Sequence, residues 1–133
     1  MIERDYIMRF LKQFFDVLQK LINNIDPDNE EGFKVELNEL CELYLGNSIS
    51  FYADNKNEDI LSALGDRSHS EMQARATMLA EVLYHNIVIT KDEDGKILLA
   101  RKVLALLSFI EEHSDTYSFE RLSRIAEMRQ MVG

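Results

Sequence analysis

A chain of 133 residues is the size of one domain, and a composition that is 46% hydrophobic and 29% charged argues against disorder across the chain. Such a chain buries roughly two-thirds of the surface it exposes when unfolded, without help from disulfides or metals. The net charge of −9, with 15 basic residues scattered among 24 acidic ones, argues against nucleic acid and anionic membranes as partners, since both need clustered Lys and Arg.

The first segment, Ile2 to Ile25, is a predicted helix. Ile7, Leu11, Phe14, Leu18, Leu21, Ile22 and Ile25 recur at steps of three and four. Tyr6, Met8, Phe10, Phe15 and Val17 widen that stripe to about half the helix circumference. One neighbour cannot cover so wide an arc, so Phe10, Phe14 and Val17 form a candidate oligomer face. Pro27 ends this helix. Asp28, with Glu31 three residues on, then reads as the N-cap of a second helix reaching Leu45. Its core line is Phe33, Leu37, Leu40, Cys41 and Tyr44, its Glu residues read as a solvated face, and Gly46 is its expected C-cap.

Residues 48–57 are polar and irregular, with a possible helical turn at Ser50-Phe51-Tyr52-Ala53. Asn57 is the expected cap of a short helix carrying Ile60, Leu61 and Leu64, closed by Gly65. A long helix is expected from Ser68 or Ser70 to Thr90, lined by Met72, Ala76, Leu79, Leu83 and Ile87. Ala74, Ala76 and Ala80 let a neighbour approach closely. Ile87 to Leu99, interrupted by Asp94-Gly95, has the look of a β-hairpin. Each arm belongs to a longer pattern of helical period, which favours helix–turn–helix. The next helix, Gly95 to His113, is apolar on most sides and is expected to be central. Ser118 caps a last helix to Met131, with Phe119, Leu122, Ile125 and Ala126 inward. The expected fold is a single all-α domain over 1–133. It has five main antiparallel helices plus a short one, arranged as a bundle or as stacked hairpins resembling tetratricopeptide repeats.

Reactive groups do not gather. His69, His85 and His113 lack the i, i+4 spacing of a helical metal site. A calcium loop with Gly95 at its sixth position would start at Thr90 and end at Arg101, both wrong for the ion. Nucleophile elbows and Gly-rich phosphate loops are missing. Cys41 lies on an apolar face between Glu39 and Glu42, the setting of a buried hydrophobe rather than a reactive thiol. No cofactor, metal or enzymatic activity is expected. The opening residues, Met1 to Asp5, lack a secretory signal, and no apolar run spans a bilayer, so a cytoplasmic protein is expected.

The opening Ile2-Glu3-Arg4-Asp5-Tyr6-Ile7-Met8-Arg9 and the close His113-Ser114-Asp115-Thr116-Tyr117-Ser118-Phe119-Glu120-Arg121 resemble the ends of an uncharacterised bacterial family. That family has helical members, some likened to tetratricopeptide repeats. The resemblance implies a bacterial cytoplasmic helical protein and carries no activity or functional residue. The leading expectation is therefore a non-enzymatic interaction or scaffold module, bound to a protein partner or to copies of itself. The alternative is a ligand-binding or enzymatic bundle. Its polar site would lie where the two chain ends meet, around Tyr6 and Arg9 and around Tyr117 and Arg121, with Glu3, Arg4, Asp5, Asp115, Glu120 and Arg124 nearby.

Overall fold

Side-chain caps and one proline decide where the helices begin and stop. The computed structural model describes residues 2–64 and 68–133, with side chains from Asp5 onward. Expectations for Glu3, Arg4, Gly65 and the Arg67 segment lie outside the described residues or side chains. Among the described residues the regular structure is helix without strand: α1 (Ile2–Asn23), α2 (Glu30–Leu45), α3 (Ile49–Asp54), α4 (Asn57–Ala63), α5 (His69–Ile89), α6 (Glu93–His113) and α7 (Phe119–Val132). The five main expected helices are α1, α2, α5, α6 and α7. The short one is α4, and the turn at residues 50–53 extends into α3.

Ser68, Asp92 and Ser118 cap α5, α6 and α7, accepting from the backbone N–H of Glu71, Gly95 and Arg121. Two expected caps are displaced. Asp26 Oδ1 accepts from the Asp28 N–H at 2.9 Å, an Asx turn that delays α2 by one residue. Asn29 is then the cap, bonded to the Gly32 N–H at 3.0 Å, and no Glu stands at the third helical position to complete a capping box. Asn57 is the first residue of α4 rather than its cap; Lys56 precedes it without a side-chain bond. Gly46 ends α2 with φ 84°, the left-handed conformation glycine adopts without cost.

The core runs through every helix, and its centre is α5. That helix packs against α6, α2, α1 and α3, whereas α6 packs against α5, α7 and α4. The expectation that α6 would be central is therefore corrected. Its apolar residues circle the axis, but Leu98 is exposed and Leu104, Ala105 and Phe109 are only half-buried. On α5, Ala76, Ala80, Met78, Leu79, Val82 and Leu83 are all buried, and its alanines give neighbours room on several sides. The connection of residues 90–92 folds α5 and α6 into a hairpin that forms the largest interface of the molecule.

On α1 the wide stripe is mostly covered within the chain. Phe14 is fully buried, edge-on to the Tyr44 ring at 5.4 Å. Phe10 is half-buried between Tyr44 and the Arg75 guanidinium. Val17 alone of that trio is exposed, at 39%. Phe119, Leu122 and Ala126, expected inward on α7, are exposed, while Ile125 and Met128 are buried. Phe119 is the first residue of its helix, where the chain has just left the α6 end.

Tyr52 ties the short α3 to α2. Its hydroxyl donates to the Leu45 carbonyl at 2.5 Å, satisfying an acceptor that the end of α2 leaves without a helical partner. Tyr52→Phe keeps the ring and strands that carbonyl. The expected cost is roughly 1–3 kcal/mol, read as a lower urea midpoint with an unchanged slope.

Candidate functional site

Two concave regions bring together residues far apart in sequence. The first is a groove of about 690 Å³ between α2 and α6, which both pack on α5. Val35, Asn38, Glu39 and Glu42 of α2 form one wall, and Leu98 and Leu99 of α6 contribute the other. Ile49, Ala53 and Asp54 of α3, Asn86 of α5 and Thr90 at its C-terminal end add to the lining. Val35 is 55% and Leu98 49% exposed, so each wall offers an apolar side chain to whatever enters.

Three neutral polar side chains of this groove serve the fold. Asn38 accepts from the Ile49 N–H at 2.9 Å and donates to Glu42 Oε1 at 2.7 Å. Ser48 caps α3 through the Phe51 N–H at 3.1 Å. The Thr90 hydroxyl donates to the Asn86 carbonyl at 2.6 Å. What faces outward is aliphatic surface together with Glu31, Glu39, Glu42 and Asp54, against the single cation Lys34 among the lining residues. Small-molecule sites need polar groups converging on the ligand, and Asn38, Ser48 and Thr90 of this groove are turned to other tasks.

The second region lies between α1 and α7. Two adjoining pockets, of about 480 and 230 Å³, share Thr77 and Arg121. Ile7, Met8, Leu11 and Phe15 of α1 face Ser118, Arg121 and Arg124 of α7. His69 and His113, 44 positions apart, meet here with ring centroids 5.4 Å apart. Here too several polar groups are engaged. Arg121 Nε donates to Glu111 at 2.9 Å and its Nη2 to the Thr116 carbonyl at 2.7 Å. His113 Nδ1 lies 2.8 Å from the Phe109 carbonyl, and Gln73 donates to the His113 carbonyl at 2.8 Å. Arg124 pairs with Glu81 at 2.9 Å and lies 3.5 Å over the Tyr84 ring. The Tyr84 hydroxyl donates to Glu127 at 3.0 Å; burial and that carboxylate push the phenol above its ordinary range. This network stitches α7 to α5.

Of the residues expected at a polar site, Arg121 lines both pockets, Asp115 lines the larger and Glu120 and Arg124 the smaller, and Tyr6, Arg9 and Tyr117 line neither. Tyr6 stacks on Phe10 at 6.0 Å with its side chain exposed. Arg9 donates to the Asp5 carbonyl one turn back, and Tyr117 is 75% exposed. Val35 is the residue that sequence reasoning passed over. It is an aliphatic side chain on the charged side of α2, a signal legible in the sequence. The proximity of His69 to His113 has no local signal at all.

Burial, helped by Glu42, pushes the Cys41 thiol up to about 12. At pH 8 that leaves roughly one thiol in ten thousand ionised. Iodoacetamide is expected to label Cys41 in the native protein at least about a thousandfold more slowly than in urea. Equal rates in the two conditions would contradict its burial. Among the described residues, three or more His, Cys, Asp or Glu side chains do not gather as a metal would require, and no helix is long and apolar enough to cross a membrane. Comparison of the chain with protein-family models, curated proteins and solved structures finds no match.

Proposed function

We propose that this protein is a helical interaction module whose docking face is the groove between α2 and α6. The observation that carries this reading is the pairing of exposed Val35 and Leu98 on opposite walls, over a lining in which the side chains of Asn38, Ser48 and Thr90 already have partners within the chain. Such a surface can bind by burying apolar area and has no group set to perform a reaction. On the resemblance of its two ends, the module works in the bacterial cytoplasm.

The test is affinity capture from lysate of the source organism, with the wild-type chain and with the double variant Val35→Lys, Leu98→Lys. Both positions are exposed, so the variant folds. The wild type is expected to retain a partner that the variant loses. Equal retention by both would remove the groove from the account, and no retained partner at all would remove the module reading.

A second reading rests on the two adjoining pockets between α1 and α7, with an apolar wall from α1 and Arg121 at their junction. In it this cleft holds a small amphipathic molecule. A thermal-shift screen of amphipathic carboxylates tests it. Stabilisation that Arg121→Gln abolishes supports it, and a flat screen removes it.

A further inference from the structure

We infer that the occupant of the α2–α6 groove is a short cationic amphipathic helix of a different protein. This rests on the reading of the groove as the docking face and adds the identity of what docks.

Three observations narrow the occupant. The first is backbone chemistry. The walls are helices, whose N–H and C=O groups are satisfied internally except at their ends, and the described residues include no strand. An extended peptide would find no sheet edge to pair with. A helix brings its own hydrogen bonds and presents only side chains. The second is size. The lining residues of α2 run from Glu31 to Glu42, roughly 16 Å of helix, which matches a guest of about three turns. Val35 and Leu98 would receive apolar side chains spaced three or four residues apart.

The third is charge. Glu31, Glu39, Glu42 and Asp54 outnumber Lys34 in the lining. The chain as a whole carries −9. A second copy would bring carboxylates against carboxylates, and like charges set together disfavour association. A guest with Lys or Arg flanking its apolar stripe meets complementary charge on the rim, which raises the association rate and sets orientation.

Two 14-residue peptides of identical helical pattern, one of Leu and Lys and one of Leu and Glu, provide the test. Each is titrated into the full-length isotope-labelled protein while amide chemical shifts are followed. The Leu/Lys peptide is expected to bind saturably, moving the signals of Val35, Ser50 and Leu98, and the Leu/Glu peptide is expected not to bind. Glu39→Gln with Glu42→Gln is expected to weaken binding on the order of tenfold, and Val35→Lys with Leu98→Lys to abolish it. Circular dichroism confirms that both variants are folded. If both peptides bind the groove equally well, the charge inference falls while the docking face stands. If neither shifts the groove signals, both fall. Unsaturable shifts scattered over the acidic surface with the Leu/Lys peptide would likewise overturn the inference.

Discussion

Phe14→Ala is expected to destabilise the protein by about 3–5 kcal/mol, a large share of the 5–15 kcal/mol that usually holds a domain together. Phe14 has no exposed surface and meets Phe15 and Tyr44 edge to face at 5.3 and 5.4 Å. Removing the ring forfeits its transfer free energy and leaves a cavity between α1, α2 and their neighbours that a helical framework closes only in part. The comparison that gives this number meaning is Val17→Ala. Val17 lies three residues on along the same apolar arc, yet 39% of it is exposed, and its truncation is expected within about 0.5 kcal/mol of the wild type. Urea unfolding of the two variants measures the contrast. Similar losses at both positions would mean that the arc of α1 is buried against something other than this chain's own core, such as a second copy.

The second large effect is expected from adding volume to α5. Ala76 is fully buried on the helix that touches most of the others. Interiors are packed as densely as organic crystals, so a longer side chain there must displace a neighbour or leave its preferred rotamer. Ala76→Leu is expected to cost roughly 1–3 kcal/mol, although leucine is nearly as good a helix former as alanine. Ala126→Leu makes the same chemical change on the outer side of α7, where the position is exposed, and is expected to be close to neutral. Thermal unfolding compares them. A neutral Ala76→Leu would contradict the placement of α5 at the centre.

Much of this architecture is legible in the sequence because the signals are local. The stripe from Ile7 to Leu18 shows α1, and Pro27 and Gly46 bound its successor. Ser68 and Ser118 mark helix starts that the structure places one residue later, at His69 and Phe119. What is lost depends on neighbours in space. A helix with apolar residues on every side reads as central, but α6 leaves Leu98 exposed while the alanine-rich α5 takes the middle, because small residues permit approach from several directions. Likewise the wheel of α1 shows how wide its apolar arc is and not whether Tyr44 and Arg75 lie across it, as they do at Phe10.

The groove is legible only in fragments. Val35, Ile49, Thr90 and Leu98 come from four helices or their ends, and no spacing rule connects them. The acidic residues of α2 read as a solvated face, which they are. That face becomes one wall of a groove only once α5 has set α6 opposite it. The polar residues at the two chain ends are the converse case. Tyr6, Arg9 and Tyr117 stand out in sequence, yet in the fold they point along α1 or into solvent, while Asp115, Glu120, Arg121 and Arg124 reach a pocket.

Site-specific photo-cross-linking tests most directly where this molecule makes its contacts. A benzophenone side chain placed in turn at Val35, Leu98 and Val17 is irradiated in cells of the source organism. Adducts are predicted at positions 35 and 98, heavier than the chain by the mass of a different protein, with none at position 17. Adducts confined to position 17, with twice the mass of the chain, would contradict the account and return α1 as the face on which two copies meet.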